Sequence, residues 1–169
     1  MRPRYFSFAA ILVSGTVLAA CADRPGDPLS VQAALDEPKP LVCPSSAAQT
    51  STALITPLGG IVSIDGASIT IPALAVLQPT IITIGAPASQ YMEVDITANG
   101  LTSFLFQLPV TVSVSYARCT RDLSQDSLTV WHWNPASQTL LENMNGRDDK
   151  EARTMTFSTS HLSGYVIAN

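Results

Sequence analysis

Ile61-Val62-Ser63-Ile64-Asp65-Gly66-Ala67-Ser68-Ile69-Thr70-Ile71 decides how this chain folds. Two short runs rich in β-branched residues flank a central Asp-Gly pair. That pair supplies the positive φ angles of a type I′ turn, whose twist matches that of two antiparallel strands. The stretch predicts a β-hairpin, and the pattern repeats outward from it. Val110-Thr111-Val112-Ser113-Val114-Ser115-Tyr116 alternates apolar and polar residues, which puts Val110, Val112, Val114 and Tyr116 on one face of a strand. Further strands are expected at Thr80–Ile84, Met92–Thr97, Ser127–Trp133, Thr139–Glu142, Thr154–Ser158 and Tyr165–Ala168. Pro- and Gly-marked turns separate them at a spacing too short for helices. The fold class that follows is all-β, an antiparallel β-sandwich of about eight to eleven short strands, occupying residues 51–169.

On the N-terminal side the pattern stops. Residues 21–50 hold Pro25, Pro28, Pro38, Pro40 and Pro44 among small polar residues, with no sustained apolar period, and read as a flexible tether. Val31–Leu35 has the composition of one helical turn, too short to hold alone. Before it, Arg2 and Arg4 precede an apolar and small-residue run from Tyr5 to Ala20. The run is shorter than the roughly 20 residues of a membrane-spanning helix and has no basic stop-transfer flank, so residues 1–20 read as a secretory signal. It ends in Leu18-Ala19-Ala20-Cys21, which resembles the bacterial lipobox. The resemblance implies that Cys21 receives diacylglycerol and, after cleavage, becomes an acylated N-terminus that anchors the chain to a membrane. Ala22 lacks the aspartate of an inner-membrane retention signal, so the expected location is the bacterial cell envelope, at the outer membrane if the cell has one.

With Cys21 taken by lipid, two of the three cysteines remain, Cys43 and Cys119. In an oxidising compartment they read as a disulfide; the alternative is a pair of buried free thiols. Neither has a CxxC or Cys/His neighbour at ligand spacing, so no metal site is expected. The net charge is −4, and loss of Arg2 and Arg4 with the signal makes the mature chain more acidic. Such a surface does not suit phosphate backbones, and nucleic acid is not an expected partner.

Gly59-Gly60-Ile61-Val62, Ile69-Thr70-Ile71-Pro72, Pro79-Thr80-Ile81-Ile82-Thr83-Ile84 and Leu108-Pro109-Val110-Thr111-Val112 together resemble the ZU-five domain, the β-sandwich of ankyrins, netrin receptors and zonula-occludens proteins. The resemblance spans about Ala53 to Asn169. It departs at Ala73-Leu74-Ala75-Val76, where the family shows Pro-Gly-Ala-Leu, and the missing glycine implies a different local turn. In animals these domains mainly bind other proteins, so the resemblance implies an interaction or scaffolding role toward an unidentified envelope protein.

Two places carry side chains with chemistry. Ser160-His161-Leu162-Ser163-Gly164 resembles the His-Leu-Ser site of autoproteolytic domains. There His161 would take the proton of Ser163, whose oxygen would attack the Leu162 carbonyl. Such attack requires a strained peptide, and the closing strand Tyr165–Ala168 argues for a relaxed one, so self-cleavage is not expected. Trp131-His132-Trp133 puts both indoles on one face of a strand and His132 on the other. Core packing is the plain reading; exposed, Trp131 and Trp133 could stack on sugar rings, which makes glycan the alternative ligand. Arg147–Arg153 reads as a solvated hairpin loop. With no GxSxG, HExxH or phosphate loop, neither an enzyme nor a cofactor is expected.

Overall fold

The computed structural model describes residues 37–169. Cys21, the signal stretch, most of the tether and the helical turn expected at Val31–Leu35 lie outside the described residues. The described residues form an all-β structure of eleven strands: β1 (Gln49–Ile55), β2 (Gly60–Ile64), β3 (Ala67–Ile71), β4 (Thr80–Ala86), β5 (Glu93–Ala98), β6 (Leu105–Ser115), β7 (Thr129–Asn134), β8 (Thr139–Asn145), β9 (Arg147–Asp149), β10 (Thr154–His161) and β11 (Gly164–Ala168). They build two antiparallel sheets, β1-β4-β5-β11-β7-β8 and β2-β3-β6-β10-β9, which pack as a sandwich.

Inward-facing residues follow the period-2 pattern. Val110, Val112, Val114 and Tyr116 are all buried, as their alternation predicts. Ile69, Met155 and Phe157 join them from the same sheet, facing Ile82, Ile84, Val94, Ile96, Val130, Tyr165 and Ile167 of the other. Each such side chain contributes about 1.5–3 kcal/mol of transfer free energy on burial.

The hairpin forms where expected, with Ile64 paired to Ala67 across Asp65-Gly66. Its turn differs from the type I′ expectation. Gly66 alone has a positive φ, +79°, the pattern of a type II turn. The Asp65 amide donates to Gln49 Oε1 at 3.0 Å, which ties the turn to β1.

Three boundaries move. The ordered domain starts well before residue 51. Leu41 is fully buried and donates its amide to the Ile167 carbonyl at 2.8 Å, while its own carbonyl accepts from the Met92 amide at 3.3 Å. Lys39 and Asn169 exchange backbone hydrogen bonds of 3.0 and 3.1 Å. Residues 39–43 therefore satisfy backbone groups that β5 and β11 leave open as they part, so the last section of the expected tether belongs to the sheet. β1 likewise begins at Gln49. Arg147–Arg153 is not wholly a solvated loop: Arg147–Asp149 pairs with Thr154–Thr156, and Asp148 accepts a 2.7 Å hydrogen bond from the Tyr116 hydroxyl.

Strand directions sort the connections to two opposite ends. One end carries residues 39–43, the β4–β5 and β6–β7 connections, and Cys43 bonded to Cys119 across 76 residues, with Cα atoms 4.7 Å apart. Arg118 braces this end by donating to Ser46 Oγ and to the Ser89 and Tyr91 carbonyls. The other end carries the β1–β2, β3–β4, β5–β6, β7–β8 and β10–β11 connections.

Candidate functional site

At that second end, exposed leucines gather. Leu58, Leu74, Leu77, Leu101 and Leu105 all project to solvent, Leu58 at 86% exposure and Leu105 at 71%. Single exposed leucines are ordinary, but several on neighbouring loops form a patch of the kind found at interaction surfaces. The loops are held together by backbone bonds: the Leu74 amide donates to the Pro57 carbonyl at 2.8 Å, and the Gln107 amide to the Ala75 carbonyl at 2.9 Å. Gly59, at φ +78°, lets the β1–β2 turn press against Ile71-Pro72, since a Cβ there would overlap the Ile71 carbonyl oxygen.

Leu74 is unusual within this group. Its φ is +66°, a left-handed conformation that costs an L-residue roughly 1–2 kcal/mol. The chain thus carries an exposed leucine on a backbone conformation that glycine adopts most readily.

Beside the leucines lies an open cleft lined by Thr102, Ser103, Phe104, His132, His161 and Ser163. His132 points inward from β7, opposite Tyr165 on β11 and Glu142 on β8. Two register shifts in the β7–β8 ladder leave Leu141 and Met144 without partners, and the first sets Glu142 directly across from His132. His161 comes from the facing sheet, at the end of β10, past a register shift that follows Thr159. The imidazole centroids are 5.7 Å apart. Ligand-capable atoms of His132, Glu142 and His161 all lie within 4.8 Å of one another.

The surroundings act on His132 and on the neighbouring Tyr165. Burial, then the nearby His161, lowers the His132 pKa, against the opposing pull of Glu142. Burial pushes the Tyr165 hydroxyl up to about 12, so it stays a donor. It donates to the His161 carbonyl, which also accepts from Thr159 Oγ1 at 2.9 Å. Thr159 Oγ1 lies 3.4 Å from His161 Nδ1.

The residues singled out in the sequence are placed as follows. His161 turns toward Thr159 and His132, and among the described residues no hydrogen bond joins it to Ser163. Leu162 is buried and its amide donates to the Phe104 carbonyl at 3.1 Å; the Ser163 carbonyl accepts from the Ile96 amide at 3.2 Å. None of the three has a positive φ.

Trp133 is buried, edge-on to Tyr91 at 5.8 Å, with its Nε1 donating to Glu93 Oε2 at 2.8 Å. Trp131 is half-exposed and bonds its Nε1 to Thr129. The paired stacking platform is therefore absent, because the chain folds Tyr91 over one of its two indoles.

Sequence reasoning missed Glu142, Thr159 and the meeting of the two histidines. The alternation around Trp131 puts His132 on the face opposite the indoles, which is the outer one on the plain reading of core indoles, and nothing local to residue 132 points to residue 161. Compared with known protein families and with curated proteins, the chain matches none.

Proposed function

We propose that this protein is a lipid-anchored envelope lipoprotein, tethered through Cys21, whose β-sandwich is a non-catalytic protein-interaction domain of ZU-five type that meets its partner through the leucine end. One observation carries the reading. Leu74 holds a backbone conformation suited to glycine while exposing a large apolar side chain that the fold does not use. Strain kept at an exposed position is characteristic of binding sites. The placement agrees: the described chain enters at the disulfide end, so a domain tethered there would present its leucines on the far side. The lack of a hydrogen bond between His161 and Ser163 among the described residues, and the buried Trp133, lend no support to self-cleavage or to a paired-indole glycan site.

A photo-crosslinking residue at Leu58 in cells should capture a defined envelope protein, while the same residue at Asp122, on the disulfide end, should capture none. Equal capture at both positions, or none at Leu58, would remove the reading. For the anchor, Cys21→Ala should move the protein from the membrane to the soluble fraction; persistence in membranes would refute lipid attachment at Cys21.

A further inference from the structure

We propose that His132, Glu142 and His161 form a binding site for one first-row divalent cation, with a donor set that suits Zn2+. The chain has only two histidines, 29 positions apart in sequence, and the fold brings them together from opposite sheets with a carboxylate beside them. Two imidazoles and one carboxylate are the donor set of an open zinc site, with a fourth position left for water or an incoming ligand. Imidazole nitrogen selects against Mg2+ and Ca2+, which prefer oxygen alone. Here the fourth position would face the cleft lined by Thr102, Ser103 and Phe104.

Zn–N and Zn–O bonds of about 2.0–2.2 Å require ligand atoms closer together than the present limit of 4.8 Å, so the cluster must contract on binding. The contraction is accessible. Glu142 is exposed on an edge strand, and the unpartnered Leu141 and Met144 beside it loosen the ladder. The imidazoles are better fixed. Thr159 Oγ1, itself buried, stands where it can accept from His161 Nδ1, which leaves Nε2 as the free ligand atom. His132 is held between Tyr165 and Glu142 by its strand pairing. A bound cation would also clip the two sheets together at the end that lacks the disulfide.

The test is a titration of the full-length chain, without a histidine-containing tag, by ZnCl2, followed by calorimetry and by 15N signals of the histidine rings. One Zn2+ per chain should bind, and both rings should shift together and saturate together, since no other imidazole exists to mimic them. Loss of an outer-shell partner already costs about 10–100-fold, so His132→Gln or His161→Gln, which removes a ligand, should weaken binding by at least about 100-fold, and Glu142→Gln by at least about 10-fold. Glu142 is exposed, so its variant keeps the fold even if a histidine variant does not. If neither ring responds to roughly millimolar Zn2+, only one ring responds, or Glu142→Gln binds as tightly as the parent, the three-residue site is refuted.

Discussion

The two ends of the sandwich are built by opposite means. At the disulfide end, a covalent link, an arginine bonded to two neighbouring segments, and residues 39–43 bonded to β11 and to the stretch before β5 tie the connections to the core. At the other end the loops are joined by a few backbone bonds, leucines face solvent, and two imidazoles in a cleft lie near a carboxylate. One core serves both. A small domain can leave recognition loops unburied at one end when the fold is secured at the other, and positioned loops on a rigid scaffold are where binding concentrates.

The comparison breaks most visibly if the disulfide end is not what secures the fold. Replacing both Cys43 and Cys119 by alanine should cost about 4 kcal/mol on the chain-entropy account for a loop of this length, 76 residues in separation. Urea unfolding should show the loss, and amide exchange should quicken first at residues 39–43. A loss below about 1 kcal/mol, or exchange that quickens first in the leucine loops, would mean that the bond is incidental.

A smaller effect probes the link between core and cleft. Tyr165 is buried against Phe157, and its hydroxyl donates to the carbonyl of the cleft residue His161. Tyr165→Phe removes one donor to the His161 carbonyl and should cost about 1 kcal/mol, with a shifted His161 ring signal. An unmoved ring signal would separate the cleft from the core.

Legibility in the sequence followed the range of the interactions. The hairpin at Ile61–Ile71, though not its turn type, and the inward face of Val110–Tyr116 were readable because alternation and an Asp-Gly turn signal are local. β9 and residues 39–43 were not, because their placement depends on the Tyr116 hydroxyl just past β6 and on backbone groups left open between β5 and β11. Cys43 and Cys119 were readable as a pair by counting alone. His132 and Glu142 become neighbours through a bulged ladder, and His161 joins them across the sandwich, which no spacing rule encodes. Trp133 lost its place as a ligand-stacking candidate to Tyr91, a contact outside its own strand.

Leu74→Gly tests the division of labour most directly, because it removes the exposed side chain while relieving the backbone that carries it. Relief at φ +66° and the entropy glycine adds to the unfolded chain nearly cancel, so stability should stay within about 0.5 kcal/mol of the parent. Capture of the proposed envelope partner by a photo-crosslinker at Leu58 should nevertheless fall several-fold. Undiminished capture by a variant of unchanged stability would contradict the account, for the strained leucine would then serve neither the fold nor the partner.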